Sequence, residues 1–291
     1  MLRYRLLFGT LMAACFVGVV ILDGWLDGSL TASTGDDKRV RGTLFCILIV
    51  LLVMAAQLEL WKLAAAKDLK AFRPVSLVGS ILLASMWYWP QLDSISPRLY
   101  LCFALVFVLL GLLLSQYIRY GTEGVLANSG VNCFSVIYLG LFGGFALGIR
   151  IDFGVWPLLM FVSVVKFADI GAYAIGSLFG KHKFSPKISP GKTWEGMAAA
   201  AATAMIVAFV LALSFDIMLW WLAAIFGFCF AFIAQAGDLV ESMIKRDAQE
   251  KDSARRRRVP GFGGILDIID SPLVAAPFAY LFFMVSARGI A

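Results

Sequence analysis

Charged side chains make up only 15% of this 291-residue chain, yet in its last third they recur at spacings that suit chemistry. In QAGDLVESMIKRDAQEKDS (235–253), Asp238, Glu241, Ser242 and Lys245 stand at i, i+3, i+4 and i+7. On a helix those positions share one face, which would carry two carboxylates and a lysine. In PGFGGILDIIDS (260–271), Asp267 and Asp270 are three apart behind three glycines, which let a backbone approach something bulky. GKHKFSPKISPGKTWEG (180–196) offers Lys192 with Ser189 and Thr193 around a Pro-Gly turn, a set suited to phosphate oxygens although the Walker A spacing is absent. VVKFADIGAYAIGSLFG (164–180) places Lys166 and Asp169 on one helix face inside an apolar run.

Carboxylates without histidine or cysteine partners are the ligand set of a hard cation such as Mg²⁺, which shares few protein oxygens with substrate phosphates. The reaction that needs this set is attack of one anionic phosphate on another. Two unit charges 4 Å apart repel by about 4 kcal/mol at an effective dielectric of 20. Cation and lysine charge must offset that repulsion and stabilise the leaving group. The alternatives are a solvated charged helix, a basic loop beside a membrane and a structural ion pair. The residues imply phosphoryl or nucleotidyl transfer at a membrane surface, with a lipid as one substrate.

Other chemistries have little to work with. His182 is the only histidine and sits in a basic loop, which disfavours a Ser-His-Asp or Cys-His nucleophile. The five cysteines all fall in apolar runs without a C-x-x-C pair and read as small buried hydrophobes.

The elements that must position these groups are membrane spans. With 61% hydrophobic residues and a mean hydropathy of +0.86, the chain is an all-α polytopic integral membrane protein. Nine candidate spans are predicted at 6–22, 43–61, 75–89, 99–118, 129–149, 155–178, 197–213, 217–236 and 272–287. The third is short, and the sixth carries charges. No A-x-A-like site follows the first, so a retained helix is expected. With the N-terminus inside, 18 of the 25 Lys and Arg lie on the inner side and six, Arg150 among them, on the outer. The positive-inside rule then sets the N-terminus in the cytoplasm and the C-terminus outside. Residues 1–150 form a scaffold of five helices, and 151–291 a catalytic region of four with two cytoplasmic basic loops. The segment 23–42 is expected to be a solvated connection. Gly140, Gly144 and Gly148 mark a smooth face for close helix packing. The net charge of +6 follows from this topology, and Arg255–Arg258 are expected to lean on anionic lipid, so no nucleic acid is expected as a partner.

Taken together, DIGAYAIGSLFGKHKFSPKISPGKTWEG, GDLVESMIKR and PGFGGILDIID resemble the phosphatidate cytidylyltransferase (CDP-diacylglycerol synthase) family over roughly residues 166–276. The resemblance implies that CTP and phosphatidate give CDP-diacylglycerol and pyrophosphate at a dinuclear cation site holding Mg²⁺ and a second cation such as K⁺. It assigns Asp238, Asp267 and Asp270 to the cations. Lys245 would neutralise charge between metal and phosphates, while Ser189, Lys192, Thr193 and Arg246 would hold the phosphates, with Asp169, Glu241 and Ser271 nearby. The expected partners are the two substrates, membrane lipids and a second copy of the chain in a homodimer. The expected location is a bacterial-type inner membrane with the site facing the cytoplasm. The chain departs from the family pattern at Phe262, where histidine is usual, at Ile268, usually arginine, and at Ile170, usually threonine. The segment from Asp252 to Pro260 is about two residues longer than usual. The readings set beside this one are a CTP-dependent transferase for another lipid phosphate or alcohol, a degenerate binding protein and a transporter. A transporter would be expected to carry inverted repeats, and none is visible.

Overall fold

The computed structural model describes residues 2–30, 40–92, 95–249 and 263–290. The arginine run 255–258 and Phe262 lie outside the described residues. The described residues form α1 (Leu2–Leu26), α2 (Thr43–Ala65), α3 (Arg73–Ala84), α4 (Pro97–Tyr120), α5 (Val125–Ser135), α6 (Phe142–Gly148), α7 (Val155–Phe179), α8 (Trp194–Ser214), α9 (Trp220–Asp247) and α10 (Leu266–Ile290). Two π-helical turns, Val136–Leu141 and Ile149–Phe153, fuse α5 and α6 into one span over 125–153. Eight helices are long and apolar enough to cross a bilayer, and the chain is an all-α polytopic membrane protein.

The predicted third span is the short one. Its helix has 12 residues, about 18 Å of rise, short of a span, and turns around Ser85–Leu92 follow it. Irregular backbone at that depth survives only when it is buried in protein. Leu83, Ala84, Ser85 and Met86 are buried, and the Ser85 hydroxyl donates to the Ile81 carbonyl at 2.7 Å. Gly140, Gly144 and Gly148 create the space. A Cβ on Gly140 would stand 2.7 Å from the Ser80 backbone, and one on Gly144 would stand 2.5 Å from the Leu83 carbonyl oxygen. The small-residue face is thus the seat of α3.

Loops that the alternation of spans assigns to one side do meet in space. Lys67 Nζ pairs with Asp247 at 3.0 Å, and the Lys70 amide donates to Asn128 at 3.0 Å. At the other end, the Arg41 amide donates to Gln91 at 2.8 Å, while Trp87 and Tyr280 both donate to Asp152.

That second end overturns one expectation. The segment 23–42 is no solvated connection over its described part, because Asp23 and Asp27 are buried. Arg150, expected among the outer-side cations, is fully buried; its Nε lies 2.9 Å from Asp23 and its second terminal nitrogen 2.6 Å from Asp27. The same carboxylates accept backbone amides at the start of α2, from Leu44 to Asp23 at 2.8 Å and from Gly42 to Asp27 at 3.1 Å. Helix α2 opens after a Gly42 that carries no capping side chain, so its orphan N–H groups are met by aspartates from α1 and the turn after it. The guanidinium pairs with both carboxylates and offsets one of their two charges. One apolar core then runs through both halves of the chain, from Phe45 and Leu139 to Phe161, Phe226 and Phe283.

Truncating Arg150 would leave two buried carboxylates uncompensated. We predict that Arg150→Ala lowers stability by about 3–5 kcal/mol, read as a lower thermal midpoint of the detergent-solubilised protein. An unchanged midpoint would show that this ion cluster contributes nothing to holding α1, α2 and α6 together.

Candidate active site

The site lies where α7, α8, α9 and α10 pack on one another. Helix α9 continues past the apolar stretch to Asp247, so Asp238, Glu241 and Lys245 do share a helix face. Helix α10 begins at Leu266, six residues before the predicted span, and carries Asp267 and Asp270 in its first turns. The two helices touch at Gly237, where a Cβ would stand 2.9 Å from the Ser271 Cα and 3.0 Å from the Asp270 carbonyl oxygen. Glycine here lets the carboxylates of two helices converge.

Oxygens of Asp238, Glu241 and Asp270 lie within 4.8 Å of one another. Glu241 and Asp270 are buried, and one Glu241 oxygen has no hydrogen-bond partner. Asp267 lines the same cavity, but its two oxygens accept from Lys245 Nζ at 3.2 Å and from the Gly264 amide at 3.1 Å. Lys245 also meets Glu241 at 2.6 Å and therefore bridges α9 to α10. Among the sequence-derived ligands, Asp238 and Asp270 come together; Glu241 stands beside them, and Asp267 is set one salt bridge away.

A cavity of about 370 Å³ opens from this cluster, lined by Lys166, Asp169, Tyr173, Ser189, Lys192, Thr193, Asp238, Asp267, Asp270 and Ser271, among others. Lys192 reaches Asp238 at 2.7 Å and the Gln235 carbonyl at 3.0 Å, which ties the 180–193 loop to α9. Lys166 has a different anchor. Pro272 lies inside α10 and has no N–H to donate to the carbonyl four residues back, at Ile268. Lys166 Nζ donates to that oxygen at 2.7 Å and lies 3.8 Å from Asp169.

Two residues proposed for phosphates have work in the scaffold. The Thr193 hydroxyl accepts the Gly196 amide at 3.2 Å and so caps α8. Arg246 donates from Nε to the Ile188 carbonyl at 3.3 Å, bracing the loop from outside the cavity lining. His182 meets Glu195 at 2.6 Å, and its carbonyl accepts the Trp194 amide at 2.9 Å, which closes the base of the loop. The loop is thereby held on α8 and α9 with Ser189 and Lys192 at the cavity.

The donor set fits a divalent cation. Five carboxylates (Asp169, Asp238, Glu241, Asp267, Asp270) meet three lysines (Lys166, Lys192, Lys245) among the described residues. When all are ionised, two negative charges remain in excess. Carboxylates 4.8 Å apart repel by roughly 3 kcal/mol a pair at an effective dielectric of 20. All the donors are oxygens, and the unpartnered Glu241 oxygen is free for a hard ion.

Fold and site together define a membrane-embedded helical bundle with an acidic, lysine-lined cavity. A family model described as the cytidylyltransferase family matches residues 39–286. The chain is 42% identical over 138 residues to a phosphatidate cytidylyltransferase of Haemophilus influenzae, covering 45% of this chain and 47% of that protein. It is 38% identical over 126 residues to one of Mycobacterium bovis, covering 43% and 40%. Against one of Bacillus subtilis it is 32% identical over 288 residues, covering 96% of each. The matched stretch is thus less than half of the first two relatives and nearly all of the third. The chain belongs to the cytidylyltransferase family.

Sequence reasoning passed over Glu59, whose carboxylate accepts the Ile265 and Leu266 amides at 2.9 and 3.0 Å. The signal was available, since a lone carboxylate in the apolar run of α2 is as costly as Lys166 and Asp169 in α7.

The approach at Gly237 carries its own expectation. Gly237→Ala overpacks the α9–α10 contact and is predicted to cost about 1–3 kcal/mol, measured as a lower thermal midpoint in detergent. A midpoint equal to wild type would mean that the helices can separate there without loss.

Proposed function

We propose that the chain transfers the cytidylyl group of CTP to phosphatidate, giving CDP-diacylglycerol and pyrophosphate. The observation that carries this reading is the convergence of Asp238, Glu241 and Asp270 beside a lysine-lined cavity in a member of this family. A lipid phosphate oxygen attacks the α-phosphorus of CTP, a bond forms there, and the bond to the oxygen bridging α- and β-phosphorus breaks. The lipid phosphate is itself the nucleophile, so a protein nucleophile is unnecessary.

Asp238, Glu241 and Asp270 would hold Mg²⁺, with Asp267 close enough to join as Lys245 shifts. Mg²⁺ bound there supplies screening between the two anionic substrates and stabilisation of the departing pyrophosphate. Lys192 and Lys166, each already held by a main-chain carbonyl, keep fixed positive charge in the cavity where phosphate charge accumulates. Ser189 lines the same wall and offers a hydroxyl donor. The lipid-exposed Ile170 and Tyr173 beside the cavity suit a substrate whose acyl chains stay in the bilayer.

The site lies at the end of the bundle that carries Lys67, Lys181, Lys183 and Lys187, the basic side by loop charge. We place that end in the cytoplasm of a bacterial inner membrane.

Purified protein supplied with labelled CTP, phosphatidate and Mg²⁺ is expected to yield labelled CDP-lipid. EDTA should abolish turnover reversibly, and Asp238→Asn or Asp270→Asn should lower it by at least about 10²-fold while the thermal midpoint is kept. No labelled lipid from wild type would sink the reading, and full activity in EDTA would sink the metal assignment. Competition by other lipid phosphates separates phosphatidate from a different acceptor.

A further inference from the structure

Among the described residues, helix α10 starts without a side-chain cap from the residues just before it. The residues leading into it are Gly263, Gly264 and Ile265, none of which has a side-chain oxygen to accept the first free amides. Asp267 turns back to the Gly264 amide. The next two amides, of Ile265 and Leu266, are taken by the two oxygens of Glu59, more than 200 residues away on α2. Glu59 is buried, at 6% exposure, within a span-length helix. Burying a carboxylate there is costly, and a serine or aspartate at position 265 would cap α10 without it. The remote carboxylate does what a local cap cannot. It ties the first turn of α10 to α2 and so fixes that turn's height and rotation against α9. Asp267 on Lys245 and Asp270 beside Asp238 and Glu241 both depend on that rotation.

We propose that Glu59 is a positioning residue for the cation site, acting through the first turn of α10; the proposal rests on the metal reading given under Proposed function. Glu59 belongs neither to the carboxylate cluster nor to the cavity lining. It sets whether the carboxylates on α10 meet those on α9. It also couples the first half of the chain to the chemistry of the second, because α2 is held at its far end by Asp23 and Asp27.

The test compares full-length wild type, Glu59→Ala, Glu59→Gln and a destabilised control, Ser80→Ala, which breaks the Ser80 to Gln57 hydrogen bond away from the site. Two readouts are taken in detergent without nucleotide: Mn²⁺ affinity by electron paramagnetic resonance, and amide exchange along α10. Glu59→Ala should weaken Mn²⁺ about 10- to 100-fold, as loss of an outer-shell partner does, and should speed exchange at residues 265–268. Glu59→Gln keeps an acceptor oxygen and should fall between Glu59→Ala and wild type on both readouts. Ser80→Ala should match wild type on both, whatever its thermal midpoint. Wild-type Mn²⁺ affinity in Glu59→Ala would overturn the proposal, even with faster exchange, because Glu59 would then be a cap and nothing more. Equal weakening in Ser80→Ala would also overturn it, by making the effect one of general stability. A wild-type protein that binds no Mn²⁺ would instead overturn the metal reading, and the proposal with it.

Discussion

Everything in the second half of this protein is arranged around the cost of gathering carboxylates in a membrane protein. Four of the five acidic groups at the cavity have a specific compensator, Lys192 for Asp238, Lys245 for Glu241 and Asp267, and Lys166 for Asp169, while Asp270 has no lysine at ion-pair distance among the described residues. The compensation is incomplete by two charges when all groups are ionised. In a purely structural cluster such a deficit would be a defect, since buried ionic groups persist only when paired. In a site that takes up a divalent cation, as we propose, the deficit would be what makes the cation bind.

The compensators are themselves fixed by the main chain, and this explains several otherwise odd choices of residue. Pro272 inside α10 frees the Ile268 carbonyl, and Lys166 takes it. Lys192 takes the Gln235 carbonyl. A lysine bound to a carbonyl keeps its charge in place without spending it wholly on a carboxylate. Gly237 then permits the approach of α9 and α10 that converts two helical acidic faces into one cluster. At the other end, Arg150 with Asp23 and Asp27 repeats the principle without a cavity, and there one guanidinium and the backbone amides at the start of α2 hold both carboxylates and serve the fold.

Much of this was legible in the sequence, for a physical reason. Charge is so scarce that helical spacing alone brought out Asp238, Glu241 and Lys245, Lys166 with Asp169, and the glycine face at 140–148. What stayed hidden depends on partners distant in sequence. Glu59 could be flagged as a costly charge, but nothing local says that it reaches Ile265. Asp23 and Asp27 follow an apolar run and look like the polar end of a span, and Arg150 looks like a topogenic charge; only packing shows that the three compensate one another. Asp267 and Glu241 exchange prominence because spacing gives the shared face but not which oxygen Lys245 already occupies. The length of α9 beyond its apolar stretch was also open, since a hydropathy window ends where the charges begin.

Ile268 shows how such a site can tolerate change. The pattern that the sequence resembles has an arginine at this position, and here the side chain is apolar. Yet what residue 268 gives the site is its carbonyl oxygen, released by Pro272 and bound by Lys166, and this contact is indifferent to the side chain. The positive charge beside Asp169 comes from α7 and is anchored on the backbone of α10. The side chain at 268 is therefore free to vary so long as Pro272 and Lys166 remain together. Main-chain anchoring thus separates the electrostatics of the cavity from the identity of individual neighbours, and Lys166 keeps its place beside Asp169 whatever side chain stands at 268.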